Sequence, residues 1–138
     1  MALAMIISLE KPLPDAQAVY AKADTGKSLA REIDKLDFAA RVKAVAAITS
    51  LLSESTEKLA EQMRADGFDP SKMRLPPEKW YPAAEGLKTV RGLIEYVSAK
   101  LNDFKQPNPI LKSLRAVEAL LVAAEGAGVG FHFTKADV

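Results

Sequence analysis

A mainly α-helical single domain of about five helices, with a long C-terminal antiparallel hairpin as its spine, is what this chain predicts. Three observations point there. Apolar residues recur at helical spacing through two consecutive long segments, 87–104 and 110–124. Proline falls before and between these two stretches and not within them, at Pro82, Pro107 and Pro109. Only residues 5–9 and 129–134 read as extended, so any sheet is a short two-stranded element joining the termini. The 138 residues suit one domain, and 49% hydrophobic with 27% charged side chains suffices for a core without cross-links.

The elements follow in order. Met5 to Leu9 forms an edge strand, ended by Lys11-Pro12-Leu13-Pro14. Asp15 caps a short helix through Ala23. A second helix runs from about Lys27 to Leu36, with Leu29, Ile33 and Leu36 on one face. Alanine-rich residues 38–52, with Val42, Val45, Ile48 and Leu52 as a related stripe, continue as helix after a bend. Ser53-Glu54-Ser55 breaks and caps again, opening a helix that contains Leu59 and Met63 and closes at Gly67.

Residues 68–82 hold four prolines beside Trp80 and Tyr81 and form the longest irregular segment. Then Leu87, Val90, Ile94, Val97, Leu101 and Phe104 make a heptad-like stripe. Asn108-Pro109 starts the next helix, which carries Ile110, Leu114, Val117, Leu121 and Ala124 and closes at Glu125-Gly126. A connection this short makes the two helices antiparallel neighbours. In the closing strand Phe131 and Phe133 share one face and His132 takes the other.

Composition excludes several chemistries. The chain has no cysteine, hence no disulfide, thiolate nucleophile or cysteine-held metal, and its one histidine rules out any site needing two. A net charge of +1 gives little drive toward nucleic acid. Residues 1–9 are apolar but lack a basic flank and meet Glu10 and Lys11 at once. They resemble neither a secretion signal nor a span, which places the protein in the cytoplasm with no membrane partner; Met5 is an alternative start.

Candidate motifs each have a plain alternative. Ala21 to Ser28, ending Gly26-Lys27-Ser28, matches a relaxed phosphate loop, but that chemistry needs a strand before the loop and here a helix precedes it. A turn between helices is the preferred reading. Gly126-Ala127-Gly128-Val129-Gly130 follows a helix and leads to a strand, the reverse of a dinucleotide fingerprint. Glu54, Glu57 and Glu61, and separately Asp34 and Asp37, could pair around magnesium, yet the later glutamate–aspartate pair such enzymes use is missing. No metal or other cofactor is therefore expected.

His132 could act as an acid or base, but no neighbouring Ser or Cys marks a nucleophile, so a surface or cross-strand histidine is preferred. Lys88, Arg91, Lys112 and Arg115 could form an anion patch on the hairpin, with Glu95 as a partner for Arg91. Trp80 and Tyr81 could instead anchor a protein.

The stretch Pro77-Glu78-Lys79-Trp80-Tyr81-Pro82-Ala83-Ala84-Glu85-Gly86-Leu87-Lys88-Thr89-Val90, with Gly130-Phe131-His132-Phe133, resembles a group of small bacterial proteins of unknown function. The similarity lies mainly in the second half. It implies a bacterial cytosolic origin and carries over no functional residue.

The expected function is a non-enzymatic protein-interaction or regulatory module, self-associating or binding a partner through Trp80, Tyr81, Arg91 and His132. The alternatives are a nucleotide- or metal-dependent enzyme at Gly26-Lys27-Ser28 or the acidic faces, and a weak nucleic-acid binder through residues 72–115.

Overall fold

Two antiparallel helices carry the molecule, α5 (Ala83–Ala99) and α6 (Pro107–Ala127). The computed structural model describes residues 3–23, 27–53, 56–72 and 78–137. Along α5, Leu87, Val90, Leu93 and Val97 are buried; along α6, Ile110, Leu114, Val117, Leu120, Leu121 and Ala124 are buried. The predicted hairpin is present, with shifted ends and a rotated face. The 3.6-residue turn drifts against a heptad spacing, so Leu93 and Tyr96 join the seam while Ile94 is only partly buried. The helix stops at Ala99, where Lys100 leaves helical geometry (φ −131°, ψ 48°), rather than running to Phe104. Leu101, expected inside, is 44% exposed. Phe104 returns to the core from the loop and meets the Tyr96 ring edge-on at 6.3 Å.

The next helix begins at Pro107 rather than at Pro109. Both prolines fit in the first turn, where backbone N–H groups have no intrahelical partner. It ends at Gly128, not Gly126. Gly128 adopts φ 68°, and Val129 N–H donates to the Ala124 carbonyl at 2.9 Å, which closes the helix with a wrapped-back bond.

In the first half, α1 (Pro14–Ala23) starts at its proline, which puts Asp15 inside the first turn rather than at the cap. The Gln17 side chain instead accepts the Leu13 N–H at 3.0 Å. The single helix expected over 27–36 is two, α2 (Lys27–Arg31) and α3 (Ile33–Val42), broken at Glu32. The expected continuation to Leu52 does not occur. Val42 is 56% exposed, and the chain turns back at Ala44 (φ 57°), with Val45 N–H bonded to the Ala40 carbonyl at 3.0 Å. A 3-10 turn, Ile48–Leu51, then buries Ile48 and Leu51. The intervening loop is pinned by the Thr89 hydroxyl, which donates to the Ala46 carbonyl at 2.8 Å.

A left-handed alanine costs roughly 1–2 kcal/mol, partly offset on glycine substitution by the looser unfolded chain. Ala44→Gly is therefore expected to stabilise the domain by up to about 1 kcal/mol, read as a higher denaturant midpoint with an unchanged slope.

Helix α4 (Thr56–Ala65) closes at Gly67 (φ 89°) as expected. The expected break and cap at Glu54 and Ser55 lie outside the described residues. Strands β1 (Leu3–Leu9) and β2 (Phe131–Asp137) pair antiparallel with Ser8 opposite His132 and Ile7 opposite Phe133. The termini thus meet in the predicted two-stranded element. Its outer edge is finished by short backbone pairings of Leu52 with Phe133 and Tyr81 with Phe131. One face, bearing Met5, Ile7, Phe131 and Phe133, packs into the core. Helices α1 and α2 pack on α6, α3 packs on α5, and α2 also covers β1.

Candidate functional site

Strand alternation puts His132 and Thr134 on the face of β2 opposite the phenylalanines, beside Ser8 of β1. That face was expected to hold a surface or cross-strand histidine, and His132 is the cross-strand partner of Ser8. The face is buried: His132 is 1% and Thr134 4% exposed. The irregular segment 78–81 covers it. Glu78 Oε2 lies 2.7 Å from His132 Nε2, and the Trp80 ring lies over the imidazole at 4.5 Å between centroids. On the other side of the ring, Nδ1 lies 3.1 Å from the Thr134 hydroxyl, which is 3.2 Å from the Ser8 hydroxyl. Nδ1 also lies 3.2 Å from the Phe133 carbonyl, so both ring nitrogens face a hydrogen-bonding oxygen and the tautomer sets which of them donates. The Thr134 and Ser8 hydroxyls can each donate or accept to match. Every polar group in the line has a partner.

The order carboxylate, imidazole, hydroxyl is that of a nucleophilic triad. The surroundings are not. A nucleophile must reach a substrate carbon, and both His132 and Thr134 are shut inside the fold. The arrangement works as a fastener that ties the 78–81 segment to the sheet. Two further bonds reinforce it: Lys79 N–H donates to the Ser53 hydroxyl at 2.7 Å, and Tyr81 exchanges both backbone bonds with Phe131.

Of the four predicted binding residues, the structure brings together Trp80, Tyr81 and His132. Trp80 stacks on His132, and the Tyr81 ring packs on Phe131 with the Lys79 ammonium 5.0 Å from its centroid. Arg91 sits elsewhere, more than two turns along α5. It pairs across the hairpin with Glu118 at 3.2 Å, not with Glu95, which takes Lys43 at 2.9 Å instead. Sequence periodicity could not place Arg91 against Glu118 because helix rotation sets which charges face each other. Glu78 was missed because nothing in a proline-rich stretch marks which acid folds inward. Thr134 was legible in principle, two residues from His132 on the same strand face.

Of the phosphate-loop pattern Ala21 to Ser28, residues 24–26 lie outside the described residues, and the rest belongs to the end of α1 and the start of α2, with no strand leading in. Among the described residues no group of three acids or histidines could hold a metal ion, and Asp37 is engaged by the Thr49 hydroxyl at 2.8 Å. No described helix is long and apolar enough to cross a membrane.

The break between α2 and α3 serves the hairpin. Glu32 is 8% exposed, and its carboxylate accepts the Lys105 N–H at 2.7 Å and the Gln106 N–H at 3.2 Å, at the mouth of α6. Arg31 adds a bond to the Gln106 side chain at 2.7 Å. Burial works against the charge of Glu32, but the two N–H donors and Lys35 outweigh it and hold the carboxyl below its ordinary value. A lowered folded value means stability that is present above the unfolded carboxyl range and is lost as pH falls through the folded one. Glu32→Gln is expected to cost about 1–3 kcal/mol at neutral pH. The gap to wild type should narrow on acidification below pH about 5, measured by urea unfolding across pH.

A cleft opens between α3 and the end of α5, with a volume of about 320 Å³. It is lined by Asp34, Lys35, Phe38, Tyr96, Asp103 and Phe104. Phe38 is 54% exposed, and Val42, one turn on along the same face of α3, is also exposed. Lys35 reaches back to Glu32 at 3.5 Å. Periodicity missed this site because the cleft arises where α5 stops short, which no apolar spacing announced.

Searches of family models, curated proteins and solved structures found no match to the chain. They lend no support to the resemblance to small bacterial proteins, and the functional reading rests on the geometry.

Proposed function

We propose that the chain is a non-enzymatic protein-interaction module of the cytoplasm, with its docking surface on the α3–α5 cleft. The observation that carries this reading is the contrast between two regions. His132 is buried and its Nε2 is held by the partly exposed Glu78 carboxyl. Phe38 and Val42 stand in water beside an aromatic-lined cleft. Exposed aromatic anchors beside a depression are the arrangement that dominates interface energetics. Trp80 and Tyr81 support the reading indirectly, by locking the sheet that backs the hairpin.

The test is a photocrosslinking side chain introduced at position 38 of the full chain in its source cells. One discrete adduct, lost when Val42→Glu is added, supports the reading. Adducts no more abundant than those from the same probe at Arg115, an exposed position on α6, overturn it.

A further inference from the structure

The charges at the cleft mouth say what its occupant carries. Two carboxylates, Asp34 and Asp103, line the opening, and neither has an ion-pair partner among the described residues. The one lining cation, Lys35, leans toward the buried Glu32 carboxylate. The wall is aromatic: Phe38 is exposed, and the Tyr96 and Phe104 rings meet nearly at right angles (87°). Tyr96 and Phe104 are buried, so the ring open to an occupant is Phe38, and ring faces attract cations. Acid at the mouth and aromatic rings along the wall together select a group that is both cationic and able to lie against a ring. With two acids against one lysine, the lining favours a cation over a carboxylate or phosphate. A neutral aliphatic chain would leave both carboxylates without a partner.

We infer that the cleft receives an arginine side chain presented by a partner protein segment. The stem lies along Phe38, and the guanidinium meets Asp34 and Asp103. Arginine fits better than lysine because its guanidinium is planar, stacks on rings, and offers five donors to two acids. The volume of about 320 Å³ admits a side chain and its neighbour, not a large cofactor. This inference rests on the interaction reading and gives its partner a chemistry.

The experiment is a ¹H–¹⁵N NMR titration of the full chain with three capped tripeptides, alanine-X-alanine, in which X is arginine, lysine or norleucine. Saturable shifts are expected at Phe38, Tyr96, Asp103 and Phe104. The arginine peptide should bind about threefold or more tightly than the norleucine peptide, with lysine between. Added salt should shrink that preference. Asp34→Asn combined with Asp103→Asn should erase the preference and leave distant amide positions unmoved, which shows that the fold persists. Equal binding of norleucine, or shifts confined to another surface, overturns the inference. No preference alongside an intact position-38 adduct removes the arginine assignment alone. A preference without any adduct removes the protein-partner reading and leaves a site for free guanidinium compounds.

Discussion

Phe131→Ala should remove about 3–5 kcal/mol of stability, a large share of what a domain of this size possesses. The ring is fully buried and sits where three parts of the fold meet. It packs edge-on against Phe133 at 5.7 Å and tilted against Tyr81 at 6.3 Å. It also lies against α5 at Gly86, close to Leu121 of α6. Truncation loses the transfer free energy of the ring and leaves a void that rigid neighbours cannot fill. Backbone bonds to Tyr81 remain, so the strand should persist while the helix–sheet contact loosens. Urea unfolding followed by circular dichroism measures the loss. A loss below about 1 kcal/mol would mean that this region is not packed as described.

Gly86→Ala tests the same contact from the other side. Alanine is the better helix former by about 1 kcal/mol, so an unobstructed helical position would gain from the change. Here a β-carbon on Gly86 would stand 2.4 Å from the tip of Phe131 and 2.9 Å from Leu121. Neither atom lies at the end of a freely moving chain, since both residues are fully buried. Overpacking of this kind costs about 1–3 kcal/mol or more, which exceeds the propensity gain. A net destabilisation of about 2 kcal/mol is expected. Because the clash is with Phe131, the two sites must couple. Phe131→Leu should cost less in the Gly86→Ala background than alone, and a double-mutant cycle reads the difference. Additive effects would show that the helix and sheet do not touch there.

The same contact steadies the 78–81 segment. Phe131 holds Tyr81 by backbone and ring, while the neighbouring His132 holds Glu78 and Trp80. Alternate residues of one strand thus serve opposite faces, one greasy and one polar. Trp80 and Tyr81, which read from the chain as a partner's anchor, have ring contacts within the molecule while staying partly exposed. Aromatic residues in a proline-rich loop look alike whether they wait for a partner or cover a sheet.

Local pattern carried the helical class, the hairpin and the extended character of the two end segments, because side-chain period and turn chemistry are short-range properties. Leu87, Val90 and Val97 needed only their own spacing to be recognised as a seam, and Phe131-His132-Phe133 only its alternation. What pattern could not supply depended on contacts between residues far apart in the chain. Glu32 breaks a helix that its spacing favours because its carboxylate is wanted 73 residues away, at the Lys105 N–H. His132 is buried because Glu78 and Trp80 close over it, and Arg91 chooses Glu118 because α6 lies where it does. The cleft exists because α5 ends at Ala99 while Phe104 folds back toward Tyr96, which leaves Phe38 in solvent. Propensity and periodicity act over a turn or two of chain, whereas burial and charge pairing are settled when whole elements meet.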